Sequence, residues 1–135
     1  MKTKIFVNLP VTDLRKSIAF YESLGYKMNP QFTDDTASCI VISEEIYVML
    51  LTHPKFSEFT SLPIGDAKKQ TAVIIALDAE NKAAVNDMID RAVRNGGSEP
   101  RAAQDYGFMY SRAFADPDGH MWEMFWMEPS AIPAN

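Results

Sequence analysis

The stretch LPVTDLRKSIAFYESLGY, residues 9–26, changes its period in the middle. Its first residues close KIFVNLPV (4–11), a short run of β-branched and large apolar residues ended by Pro10, which has the composition of a strand. From there Leu14, Ile18, Tyr21 and Leu24 recur at helical spacing. Thr12 or Asp13 can cap the start, and Gly25 can take the left-handed conformation that ends a helix. The pattern predicts a strand, a helix and a sharp stop in quick succession.

Beyond Gly25 come YKMNPQF and then TASCIVIS and IYVMLLTH, the last two separated by Glu44 and Glu45 and spaced like a hairpin. The first half therefore reads β-α-β-β-β. The same order returns after residue 70. TAVIIALD (71–78) reads as a strand, and a helix is expected from about Glu80 with Val85, Met88, Ile89, Ala92 and Val93 as its apolar stripe. Gly96 and Gly97 end that helix; a loosely defined strand near 99–104, the turn region DYG, and the strong strands FMYSRAFA and HMWEMFWM complete the second half. Residues 54–70 mix Pro, Gly, Ser and charges without either period and read as the linker.

A repeated order constrains architecture more than any single element does. One helix leaves part of each sheet uncovered, so the expected fold is α+β: two βαβββ modules that pair their sheets around a central cavity, with the helices outside. The chain is expected to form one domain over 1–135, with repeat halves at about 3–53 and 71–128.

Composition narrows the function classes. With 47% apolar and 23% charged residues over 135 positions, the chain suits one compact globular domain. The net charge of -5, from 13 basic and 18 acidic residues without a Lys/Arg cluster, argues against a nucleic-acid partner. No stretch approaches the roughly 18 uncharged apolar residues of a membrane helix, and FVNLP after the basic MKTK is too short for a secretory core, so the expectation is a cytoplasmic protein with no membrane partner. Cys39 is the single cysteine, which excludes an intrachain disulfide and a thiolate metal cage; in ASCIVIS it reads as a buried apolar thiol.

LPVTDLRKSIAFYESLGY near the start and FADPDGHMWEMFW (114–126) near the end, together with the repeat, resemble the vicinal oxygen chelate superfamily, which includes glyoxalase I, bleomycin-resistance proteins, fosfomycin-resistance enzymes and extradiol dioxygenases. The resemblance covers nearly the whole chain; it is specific for fold and weak for reaction. It implies a small-molecule ligand and a homodimer. In metal-dependent members a divalent ion is held from the first and fourth strands of each half, and the matching positions here are Phe6, Met49, Ile74 and Glu123. Phe and Ile donate no electron pairs and a Met thioether suits hard cations poorly, so one ligand of four remains and no cofactor is expected. His53 and His120, both beside turns, read as solvated histidines rather than replacement ligands.

Glu123 stands in a strand that is otherwise apolar. If the DPDG turn is a plain two-residue hairpin, Glu123 lies opposite Arg112 and the two form a cross-strand ion pair. If Gly119 forms a bulge, Glu123 lies opposite Ala113 and faces the cavity, while Arg112 turns to the other face. Asp at the start and Gly at the end favour the bulged form. On that register Phe6, Asn8, Tyr47, Met49, Leu51, Ile74, Ser111, Ala113, Met121, Glu123 and Phe125 share cavity-facing parity, whereas Trp122, Met124 and Trp126 pack under a helix. Of these, Phe6, Asn8, Tyr47, Met49, Ile74, Ser111, Met121 and Glu123 are the expected ligand-binding residues, and Glu123, lacking a cation, is the candidate catalytic base or hydrogen-bond donor.

The preferred functional reading is a glyoxalase/bleomycin-resistance-like protein that binds a small organic ligand in a mostly apolar cavity without the family metal. The alternative is a metal-dependent lyase or isomerase, or an extradiol-type dioxygenase, that acts through Glu123 and unrecognised ligands to Zn, Ni, Mn or Fe. A third reading is an interaction module whose cavity is filled by its own side chains.

Overall fold

A computed structural model describes residues 1–131; the last four positions of the expected 1–135 domain lie outside the described residues. The chain divides into two compact units, Met1–Asp66 and Ala67 onward. Each contains the repeat order read from the sequence.

In the first unit, β1 (Ile5–Val11) leads into α1 (Leu14–Ser23), followed by β2 (Lys27–Asn29), β3 (Ala37–Val41) and β4 (Ile46–Thr52). The sheet order is β1-β4-β3-β2, with β1 and β4 parallel and the other pairs antiparallel. Of the two capping candidates Asp13 is used, its carboxylate accepting from the Lys16 amide at 3.1 Å. Gly25, at φ 101°, makes the sharp stop. The helix buries Leu14, Ser17, Phe20 and Tyr21, and the sheet buries Leu9, Val11, Ile40, Val48 and Leu50. Alternation along the strands leaves Phe6, Asn8, Tyr47 and Met49 on the other face. Cys39 is buried as expected, and burial pushes its thiol pKa up.

The stretch expected as a featureless linker opens with a short helix, α2 (His53–Phe56). Pro54 sits in its first turn, where a missing amide costs nothing. His53 is exposed at its start.

The second unit runs β5 (Ile74–Asp78), α3 (Lys82–Arg94), β6 (Gln104–Asp105), β7 (Met109–Ala115) and β8 (Met121–Met127), with sheet order β5-β8-β7-β6. β5 starts three residues later than its apolar run, because Ile74 pairs with Met121, the first residue of β8. The helix starts at Lys82 rather than Glu80, because the Asn81 side chain caps it by accepting from the Ala84 amide at 2.8 Å. Val85, Ile89 and Ala92 are its buried stripe, while Val93 is exposed. Trp122 and Met124 are buried on the helix-facing side of the sheet, and Trp122 stacks on Phe114 at 6.0 Å between ring centroids. No helix among the described residues is long and apolar enough to cross a membrane.

The DPDG turn is the bulged form. The Gly119 amide donates to the Asp116 carbonyl at 2.9 Å, and the Asp116 amide donates to the His120 carbonyl at 2.9 Å, so three residues are enclosed. The Asp116 side chain is buried and accepts from the Asp118 and His120 amides. Gly119 is required twice over. Its φ is 90°, and a β-carbon there would stand 2.7 Å from the Lys68 amide nitrogen and 2.8 Å from the Ala67 carbonyl carbon. Gly119→Ala must strain the turn and push away the 67–68 backbone, so its unfolding free energy in urea is expected to fall by about 2 kcal/mol or more. A loss under about 0.5 kcal/mol would show that the turn does not depend on this conformation.

Candidate functional site

The bulge sets the parity of β8. Glu123 pairs with Ala113 on β7 and with Ala76 on β5, Met121 with Ala115 and Ile74, and Phe125 with Ser111 and Asp78. Ile74, Ser111, Met121 and Glu123 therefore share one face of the second sheet, the face opposite α3. In the first sheet Phe6 lies beside Tyr47, and Asn8 beside Met49. The rings of Phe6 and Tyr47 stack at 4.8 Å, with the Lys4 ammonium 5.7 Å from the Tyr47 centroid. The eight expected site residues thus occupy one face in each unit, four and four.

Glu123 is not an isolated charge, as the sequence reading had expected. Nη2 of Arg101 stands 3.1 Å from its Oε2 and also donates to Oγ of Ser111 at 2.7 Å, while Nη1 donates to the Ala102 carbonyl at 3.1 Å. Ser111 is fully buried; the side chains of Arg101 and Glu123 are 22% and 27% exposed, so a small molecule can reach them. The pair is a charge-assisted hydrogen bond in which the guanidinium is also held from a second and a third side. A cation already fills the place beside the carboxylate.

Arg101 arrives by a local irregularity. From the Ser98–Ala115 bridge to the Gln104–Ser111 pair, one chain advances from 98 to 104 while β7 moves only from 115 to 111. The two surplus residues loop the segment 99–103 out of the ladder, and the strand expected near 99–104 shrinks to Gln104–Asp105. In a regular strand, residues 99 and 101 would share a face. Here Glu99 binds Arg112 on the helix side, at 2.9 Å and 3.0 Å, while Arg101 binds Glu123 on the opposite side. Arg112 also reaches Asp90 at 3.2 Å and Asn86 at 3.0 Å. Two ion pairs thus clamp the loop to both faces of one sheet.

The face continues into a cavity of about 400 Å³, whose lining includes Lys68, Ser98, Pro100, Ala115, Asp116 and Met121. Met121 is two residues from Glu123 on the same face and Pro100 adjoins Arg101 in the chain; Arg101 and Glu123 themselves are not part of the lining. A smaller cavity of about 230 Å³ lies in the first unit, lined by Asn8, Leu51, Phe56, Phe59 and Thr60. There the Asn8 amide donates to the Phe6 carbonyl at 3.3 Å, the local backbone role. Asn8 and Met121 line cavities, but different ones.

The divalent ion that the resemblance implies does not fit these residues. Phe6, Met49 and Ile74 present no suitable donor at three of the four positions, and the carboxylate at the fourth is engaged by a guanidinium. Among the described residues no group of three or more His, Cys, Asp or Glu side chains is placed to hold a metal ion. His120 lies in the turn, its amide bonded to Asp116.

Arg101 was missed by sequence reasoning because EPRAAQD has no period. A signal was nevertheless present: an acid on an apolar face calls for a counter-charge, and of the second unit's four arginines Arg112 turns to the helix side and Arg91 and Arg94 lie on α3, which leaves Arg101.

Residues 3–43 match the family described as bleomycin resistance protein-like N-terminal. No curated protein matches the sequence. Among solved structures, hypothetical protein SA1046 from S. aureus is 26% identical, over 93% of this chain and 95% of that one, with a TM-score of 0.78. A glyoxalase-related enzyme from Fulvimarina pelagi is 21% identical over 93% and 88%, with a TM-score of 0.77. A bleomycin resistance determinant encoded on transposon Tn5 is 19% identical over 94% and 99%, with a TM-score of 0.64. The last two are likenesses of fold.

The Glu99–Arg112 clamp has a pH signature. Hydrogen bonding to Arg112 holds the Glu99 carboxyl below the usual glutamate range, with the guanidinium charge adding to it. A depressed folded-state pKa contributes stability that is full above the unfolded value and is lost as pH falls through the folded one. Urea unfolding measured across the acid range should show this loss in the wild type and a shallower one in Glu99→Gln, whose stability at neutral pH should drop by about 1 kcal/mol or less. Identical acid slopes would remove the clamp from the account.

Proposed function

We propose that this chain, a protein of the vicinal oxygen chelate superfamily, binds a small organic molecule on the second sheet, in the cavity beside Glu123, and does so without the family metal. The observation that supports the reading is the 3.1 Å contact between Arg101 and Glu123, a guanidinium beside the carboxylate that the resemblance would make a metal ligand. Met121 and Ala115 offer apolar contact, and Ser111, Arg101 and Glu123 form one polar end, the usual composition of a small-molecule site. In this role Glu123 orients a ligand as a hydrogen-bond acceptor rather than acting as a base. The fold likeness to a bleomycin resistance determinant is consistent with sequestration as the purpose of binding.

A thermal-denaturation screen of small, predominantly apolar compounds, run in EDTA, tests the reading. Saturable stabilisation by one chemical class, by several degrees and lost in Glu123→Ala, is the expected result. Stabilisation that requires added Zn, Ni, Mn or Fe(II) would overturn the reading and favour the metal-dependent lyase or dioxygenase alternative.

A further inference from the structure

The Arg101–Glu123 pair leaves a specific set of groups for a ligand. Both protons on Nη2 of Arg101 are used, one by Ser111 and one by Glu123 Oε2, and Nη1 spends one on Ala102. Among the described residues, Nε–H and the second Nη1 proton of Arg101 and Oε1 of Glu123 have no hydrogen-bond partner. The site thus offers donors and an acceptor side by side, and its two charges cancel. Lys68 and Asp116, the two charged residues lining the nearby cavity, are also of opposite sign.

We propose that this pair makes the site selective for neutral molecules that carry a hydrogen-bond donor beside an acceptor, a carboxamide being the simplest case, over carboxylates and amines of the same shape. The inference rests on the small-molecule reading above and adds its ligand class. A carboxylate would approach Arg101 only by bringing a second negative charge against Glu123, and an amine would approach Glu123 only against Arg101. In a half-buried site either like-charge contact weakens binding. A carboxamide meets neither penalty: its N–H₂ can donate to Oε1 while its carbonyl accepts from the guanidinium. The apolar neighbours Met121, Phe125 and Ile74 on the same face suit a ring behind the polar group.

Benzamide, benzoate and benzylamine form a matched trio that differs in this one property. Each is titrated into the full-length ¹⁵N-labelled chain at constant ionic strength, and amide and Arg Nε–H shifts are followed. Benzamide is expected to give saturable shifts at Ser111, Met121 to Phe125 and the Arg101 side chain, with an affinity about tenfold or more above the other two. Glu123→Gln leaves a net positive pair and should move the preference to benzoate; Arg101→Gln leaves a net negative one and should move it to benzylamine. An equal or better affinity for benzoate or benzylamine in the wild type overturns the inference while leaving small-molecule binding standing. An unchanged order of preference in both variants does the same. Failure of all three compounds to shift these residues up to their solubility overturns this inference and counts against the site itself. If a variant does not fold, the wild-type order alone decides.

Discussion

A single residue of register in the β7–β8 hairpin determines what the second sheet presents on each face. Side chains alternate along a strand, so removing the bulge would exchange the faces of every β8 residue relative to β7. With Gly119 at φ 90°, Trp122 and Met124 enter the core, and Met121, Glu123 and Phe125 stand on the open face. Without the bulge, Trp122 would leave the core and Glu123 would lie under the helix, where it would compete with Glu99 and Asp90 for Arg112. The close approach of the 67–68 backbone to Gly119 ties the same turn to the start of the unit.

The looped segment 99–103 depends on that register. Ser111 and Glu123 must share a face for one guanidinium to reach both, and Arg112 must point the other way for Glu99 to hold the loop from behind. Surface ion pairs are usually worth little, because water competes and long side chains lose freedom. These two are stronger cases: Arg101 also satisfies a fully buried serine, and Arg112 grips Glu99 with two hydrogen bonds.

Most of the fold was legible because its elements are periodic. The two βαβββ orders, a cap at Thr12 or Asp13, the Gly25 stop and the face taken by Glu123 all follow from local patterns that tertiary contacts reinforce; the choice of Asp13 came from the structure. Boundaries slipped where a partner or cap outside the pattern decided them, as at Ile74, which waits for Met121, and at Lys82, which follows the Asn81 cap. The short helix at His53 was hidden because four residues carry no period. The site was half legible. Parity gave the face of Glu123, but Arg101 lies in an aperiodic stretch and reaches Glu123 only through a two-residue excess that no local rule announces.

The central claim is that Arg101 serves as the cation of Glu123, in place of a metal. A crystal structure of the full chain grown in the presence of Mn or Zn, with diffraction recorded at that metal's absorption edge, tests it most directly. The account predicts the guanidinium within hydrogen-bond distance of Glu123 and Ser111 and no anomalous peak beside the carboxylate. A metal peak on Glu123 with Arg101 swung away would contradict it.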